Sequence, residues 1–174
     1  MELTRRLTDA AEKLFDRYGY TATGMDRLTK AADMSSRTLY KHAGSKAQLM
    51  AMVLSERDKR FLCRTDVKSV EALFDALKDW TATEGARGCL FLRALGETGG
   101  DTPEIAAAVE THKAAFAARI SDIVAMDIGR DDPLLTEQII VLFEGAAHAA
   151  IYRGNGAVDA ARVAAAALAK AART

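Results

Sequence analysis

Apolar residues recur at three- and four-residue intervals along most of this chain. Leu3, Leu7, Ala11, Leu14 and Tyr18 make one stripe, the pattern of an amphipathic helix with one face turned to a core. Gly19 is placed to end that helix as a left-handed residue. A short second segment carries Met25, Leu28 and Ala32 on one side, and Asp33-Met34 reads as a turn. Ser35 is placed to cap a third, very short helix running to Tyr40 or Lys41, which Gly44 breaks. Ser45-Lys46-Ala47-Gln48 has the spacing of a capping box, with Gln48 reaching back to the Ser45 amide, and opens a fourth helix to about Phe61.

The same periodicity continues. Val70, Leu73, Phe74, Leu77 and Trp80 predict a fifth helix, and Thr83–Gly88 a break. Cys89 to Leu95 predicts a short sixth helix, nearly all apolar and so buried on several sides, with Gly99-Gly100 at its end. Thr102-Pro103 and Asp132-Pro133 each pair a capping residue with a proline at the first helical position, opening a seventh helix (about 103–126) and an eighth (about 133–152). Arg153 to Gly156 reads as a turn, and Val158 to Ala172 as an alanine-rich ninth helix. No stretch alternates as a strand does. The expected fold class is all-α.

Composition narrows the class. The 174 residues are 49% hydrophobic and 28% charged, with 2 prolines and 12 glycines, which suits a globular chain and excludes collagen-like or proline-rich architecture. No run approaches the roughly 18 apolar residues of a membrane span, so no membrane partner is expected. The opening Met1–Arg6 leads into an amphipathic pattern, so no secretory leader is expected and the cytoplasm is the expected compartment. Two cysteines, Cys63 and Cys89, make no disulfide scaffold and have no metal-type spacing; no cofactor and no metal site are expected. Net charge is zero, yet residues 1–60 hold twelve Lys/Arg against eight Asp/Glu, leaving the remainder acidic by the same margin. A basic head on an acidic body fits nucleic-acid binding at one end, although an imbalance this small also arises by chance.

Residues 25–42 are the informative stretch. Two short helices joined by a tight turn make a helix-turn-helix. The second opens on Ser35, Ser36, Arg37 and Thr38, polar groups of the kind a recognition helix presents to base edges, while Leu39 anchors it inward. Tyr40, Lys41, Lys46 and the amides opening the fourth helix suit phosphate oxygens.

Here the sequence resembles a known family. Ala10 to Thr23 resembles the first helix and turn of the TetR family of bacterial transcriptional repressors, Met25 to His42 its helix-turn-helix, and Ser45 to Met50 the start of its fourth helix. The resemblance covers about residues 3–52. It departs from the family pattern at Asp33, where the turn usually has glycine, at Arg37, usually a small residue, at Ala43, usually an aromatic packing the head, and at Gly24, usually a capping Ser or Thr. It implies two domains: 1–46, a three-helix helix-turn-helix DNA-binding domain, and 47–174, a six-helix effector-binding and dimerisation domain. Ser36, Arg37 and Thr38 would lie at the bases, Thr23, Tyr40, Lys41, His42 and Lys46 at phosphates or the groove edge, and Ser35 belongs to the same DNA-binding set. An arginine there can pair bidentately with guanine; a phosphate contact or a solvated arginine are the alternatives.

The resemblance also implies a homodimer through the last two helices. Small and apolar residues of the eighth (Ile139, Leu142, Phe143, Ala146, Ala147, Ala150, Ile151) and ninth (Val158, Ala161, Ala164, Ala165, Leu168, Ala172) agree with it, the alternative being burial against the fifth to seventh helices. Candidates for a small-molecule effector pocket are Trp80, Cys89, Phe91, His112, Phe116, Phe143, Glu144, His148 and Tyr152, with Leu95 and Ile120 beside them; ordinary core is the plainer reading of most. Glu144 and His148 share a helix face and, with His112, could orient a polar ligand group or bind a metal, the plainer reading being a hydrogen-bonded pair or surface residues. Cys89 at the sixth helix's start suits redox sensing or an inert core thiol.

The expected function is a DNA-binding transcriptional regulator, a ligand-responsive repressor binding a pseudo-palindromic operator in double-stranded DNA as a homodimer. The alternative is an all-helical dimeric interaction module with a degenerate head, suggested by Asp33 and Ala43. No nucleophile–base pair, paired carboxylates or phosphate loop points to an enzyme.

Overall fold

A computed structural model describes residues 2–173. Among the described residues there are nine α-helices and no strand: α1 (Glu2–Tyr18), α2 (Met25–Ala32), α3 (Ser36–Ala43), α4 (Lys46–Arg64), α5 (Val70–Glu84), α6 (Leu90–Thr98), α7 (Pro103–Ile128), α8 (Pro133–Arg153) and α9 (Asn155–Ala172). The chain packs as two units. One holds the chain up to Asp58 together with Leu90–His112; the other holds Lys59–Cys89 and the chain from Lys113 on. The first unit thus takes in part of α4, α6 and part of α7 beside the three helices of the head.

In the first unit the stripe of α1 closes over the head: Leu7, Ala11 and Phe15 are fully buried, with Leu28 of α2 and Leu39 of α3. α3 is eight residues long, too short to hold as an isolated helix. Leu39 and Ala43, one turn apart, bury its inner face, and Ser35 caps it by accepting from the Thr38 amide. α2 has Gly24 at its N-cap and no side-chain cap. Its C-cap, Asp33, is left-handed (φ 51°, ψ 56°), and the Asp33 and Met34 amides bond the carbonyls of Lys30 and Thr29. Arg6 from α1 donates to the carbonyls of Ala32 and Asp33. The turn expected of a glycine therefore forms around an aspartate, with Arg6 satisfying the helix end.

Between α3 and α4, Gly44 takes φ 71° and ψ −70°, and the Ser45 amide donates to the Ala43 carbonyl at 2.8 Å. This is a tight three-residue turn of the rarer hand. It corrects half of the expected capping box: the Ser45 hydroxyl accepts from the Gln48 amide at 3.0 Å, but the Ser45 amide goes to Ala43. The Gln48 amide oxygen sits where a Cβ on residue 44 would be.

The second unit is built on α5, α8 and α9. Its core joins Leu73, Phe74 and Leu77 of α5, Phe116, Ile120, Ile123 and Val124 of α7, Ile139 and Phe143 of α8, and Val158, Ala165 and Ala169 of α9. Ser69 caps α5, Asp132 caps α8, and Pro133 opens α8 as expected. Asp127 ties the ends together: it accepts from the Val70 amide at 3.0 Å and from Arg173 at 2.5 Å.

Two expectations need correcting. The turn at 153–156 contracts to Gly154 alone, because its φ 62° and ψ −158° let α9 start at Asn155. The sixth helix starts at Leu90, leaving Cys89 before it, and it is buried along one face (Leu90, Phe91, Ala94) while Leu92 and Leu95 are half-buried. α8 is long and apolar enough to cross a membrane by length and composition, with mean hydropathy 1.4 over 18 residues, although a third of that window is buried in this chain.

Candidate nucleic-acid interface

The outer face of α3 follows from its inner one. With Leu39 and Ala43 buried, Ser36, Arg37, Tyr40 and Lys41 fall on the opposite side, all exposed. Tyr40 is half exposed although it is the largest side chain of the helix. Thr38 is half-buried, and its hydroxyl lies 2.9 Å from that of Ser35. Ser35, exposed, is occupied as the cap. His42 is half-buried, its Nδ1 3.2 Å from the Thr4 hydroxyl, which leaves it on the α1 side of the helix.

Thr23 stands apart from the residues expected beside it. It is fully buried, and its hydroxyl donates to the Gly19 carbonyl at 2.6 Å, closing the end of α1. The expected phosphate contact from this side chain is corrected: the residue holds the loop between α1 and α2, and its polar atom is spent inside.

That loop carries a second cluster. Lys46, at the first turn of α4, donates to the Thr21 carbonyl at 3.4 Å and sits 4.4 Å from the centre of the Tyr20 ring. Burial lowers the Lys46 pKa below the ordinary lysine value, and the charge of Glu97 works the other way. Burial raises the Tyr20 pKa, with Glu104 adding to the effect. From α6, the Glu97 carboxylate accepts from the Thr21 amide at 2.7 Å. Arg93, one turn earlier, donates to the Asp16 carbonyl at 2.8 Å and lies 3.3 Å from its carboxylate. Gly19 (φ 87°) makes room, since a Cβ there would stand 2.6 and 2.8 Å from the two Glu97 oxygens. Neither Arg93 nor Glu97 was anticipated. Their i, i+4 spacing marks a shared face, but nothing in a sequence pairs that face with residues 16 and 21.

The residues put forward for an effector divide between the units. Phe91 and His112 are in the first: the rings stack at 3.8 Å between centres, and His112 Nδ1 is 2.6 Å from Asp58. The remainder are in the second. Trp80, Phe116 and Phe143 gather around Phe61, with ring centres 5.3, 5.3 and 6.0 Å from it. Glu144 does not join His148 in a polar site; it pairs with Lys113 at 2.6 Å, while His148 is exposed. Tyr152 is 78% exposed and Cys89 half-buried, so neither belongs to the aromatic cluster. Among the described residues no group of three His, Cys, Asp or Glu side chains is placed to hold a metal ion.

The α8–α9 face turned from the second unit's core is apolar and open. Val141 and Val163 are about two-thirds exposed, and a shallow groove is lined by Glu137, Gln138, Val141, Leu142, Ala164, Ala167 and Leu168.

Comparison with known proteins agrees with the resemblance read from the head. The family model for bacterial regulatory proteins of the tetR family matches residues 7–53. Solved structures share the fold over the whole chain. A TetR-family transcriptional regulator from Streptomyces coelicolor has a TM-score of 0.89 at 22% identity, covering 100% of this chain and 98% of that one. A protein from Streptomyces avermitilis described as a TetR transcriptional regulator has 0.82 at 26%, covering 99% and 98%. A TetR transcriptional regulator from Chloroflexus aurantiacus has 0.76 at 22%, covering 97% and 93%. No curated protein matches by sequence.

Proposed function

From a head that matches the tetR family of bacterial regulatory proteins, and a whole-chain fold shared with TetR-family regulators, we propose that this protein is a DNA-binding repressor of transcription. It acts in the cytoplasm as a homodimer on a pseudo-palindromic operator. The observation that carries the reading is the outer face of α3, where Ser36, Arg37, Tyr40 and Lys41 stand exposed over a buried Leu39. Among the described residues no hydrogen bond or ion pair engages the Arg37 or Lys41 side chain, and both are exposed toward an external anion or base edge.

In this reading α3 enters the major groove. Arg37, in the first turn, reaches guanine O6 and N7, a pairing worth about 1–3 kcal/mol of discrimination. Tyr40 and Lys41, one turn on, meet the phosphates that set register. One head reads few bases, so two heads about 34–36 Å apart supply the specificity. The open α8–α9 face supports pairing of two copies. The second unit receives a small-molecule effector, for which the aromatic group around Phe61 is the best wall available. Effector and DNA then affect each other's affinity reciprocally. The division of labour follows the packing only in part: residues 1–46 carry the DNA contacts, and 47–174 the effector and the dimer.

The test is fluorescence anisotropy with duplexes tiled from the DNA upstream of the protein's own gene, using wild type and Arg37→Ala at several salt concentrations. One tile should bind far more tightly than the rest, and the variant should lose that preference while keeping weak, salt-dependent binding. Equal weakening on every tile would make Arg37 a phosphate contact. Absence of any preferred fragment, even in a genome-wide selection, would overturn the reading.

A further inference from the structure

At the α1–α2 loop the Thr21 amide donates to the Glu97 carboxylate, with Lys46 and the bare Gly19 backbone beside it. A backbone amide (Thr21), a lysine ammonium (Lys46) and a glycine surface without a Cβ (Gly19) are the components with which proteins hold a phosphate oxygen. The group that lies there is the Glu97 carboxylate, one oxygen 2.7 Å from the Thr21 nitrogen. Glu97 is exposed, and it is 76 residues from Thr21 in sequence. Lys46 is within hydrogen-bonding distance of the Thr21 carbonyl, beside the Tyr20 ring, and its ammonium feels the Glu97 charge without touching it.

We propose that Glu97 stands in for a DNA phosphate, so that the Thr21 amide and Lys46 form a backbone contact that α6 masks. The proposal rests on the regulator reading above for the identity of the anion, not for the existence of the site. While Glu97 is seated, the carboxylate satisfies the amide and repels an incoming phosphate. When α6 withdraws it, the amide and the ammonium together donate to one phosphodiester oxygen. Arg93 holds α6 to the end of α1 through Asp16, which keeps Glu97 within reach of the loop. The displacement moves no proton and needs no co-reactant; one anion replaces another.

Two measurements test this. In the first, the Thr21 amide is followed by NMR as inorganic phosphate is added to wild type, Glu97→Ala and Glu97→Gln. Saturable shifts of Thr21 in the alanine variant, absent in wild type, are expected; no saturable shift in either variant would overturn the site. In the second, anisotropy on a random-sequence duplex is measured against salt. Glu97→Gln keeps an acceptor for the Thr21 amide but not the charge. It should bind about three- to tenfold more tightly than wild type, with a log–log salt slope steeper by up to about 1, and Lys46→Gln in the same chain should remove the gain. Equal or weaker binding by Glu97→Gln would make Glu97 a strut for the loop and overturn the proposal. Phosphate binding with no gain on DNA would leave a free-anion site and overturn the assignment to the DNA backbone. If neither protein binds any duplex while the phosphate shifts persist, the regulator reading fails and the anion site stands.

Discussion

Arg57 of α4 and Glu12 of α1 form an ion pair inside the first unit, with Nη1 2.8 Å from Oε1 and side chains 6% and 14% exposed. A guanidinium this deep is held in place by its partners, and its loss of solvation is large. The pair fixes α1, the helix that closes over the head, to α4. Glu12→Gln leaves the arginine charge buried with a weaker acceptor and should destabilise the chain by about 3 kcal/mol, read from urea unfolding. A cost under about 1 kcal/mol would show that the site relaxes and admits water.

Asp33 closes the helix-turn-helix in a left-handed conformation that L side chains adopt at a cost, with Arg6 bonded to the carbonyls around it. Its own ion pair with Arg6 is long, 3.6 Å, and its side chain is fully exposed, so the charge adds little. Asp33→Gly should therefore fold at least as stably as wild type, whereas Asp33→Val should lose about 1–2 kcal/mol through the backbone alone. Thermal unfolding of both variants checks this, and a stable valine variant would mean the turn can be re-formed in another conformation.

Much of this was legible in local chemistry. The α1 stripe, the Ser35 cap, the Asp132-Pro133 start and the short α3 each depend on neighbours within four residues, which is the range over which periodicity and capping act. What was not legible depends on distant partners or on a single torsion. Thr23 reads as an exposed hydroxyl until Gly19 is seen to turn its carbonyl toward it. Glu144 and His148 share a helix face by spacing, yet Lys113 takes the glutamate. Glu97 meets Thr21 only because α6 folds back beside the α1–α2 loop.

Gly154 joins α8 to α9 alone, at φ 62° and ψ −158°, a region open essentially to glycine. A Cβ there would meet nothing within 4 Å. Gly154→Ala should thus cost about 1–3 kcal/mol of pure backbone strain, with no steric part. The comparison is Gly156→Ala, also without neighbours but inside α9, which should be stabilising by roughly 0.5–1 kcal/mol. Opposite signs in paired melting curves are the expected result; equal effects would place the strain elsewhere.

Lys41 is exposed on the outer face of α3, one turn beyond Arg37. In the proposed docking it meets the backbone and no base. Lys41→Ala should weaken binding about equally on preferred and random duplexes and flatten the salt slope by about 1, while leaving the sequence preference intact. Loss of preference in this variant would show that α3 sits in the groove at a different rotation.

α8 is apolar on both sides for two different reasons. One side (Ile139, Phe143, Ala146, Ala150) fills the second unit's core. The other, with Val141 at 67% exposure and Val163 of α9 at 66%, is turned to solvent. A face of valine, leucine and alanine on two neighbouring helices lets backbones approach closely, and a two-fold axis would use each residue twice. Burying one valine is worth about 1.5–3 kcal/mol, so a charge placed there counts against both copies at once. Val141→Asp and Val163→Asp should each lower the dimer fraction by at least tenfold in dissociation constant, seen by sedimentation, with helical circular dichroism unchanged because neither side chain supports the core. Operator affinity should fall in the same proportion as the dimer, while weak binding to random duplex persists through the single head. A dimer of unaltered strength in both variants would move the subunit contact off α8 and α9 and leave that face for another partner.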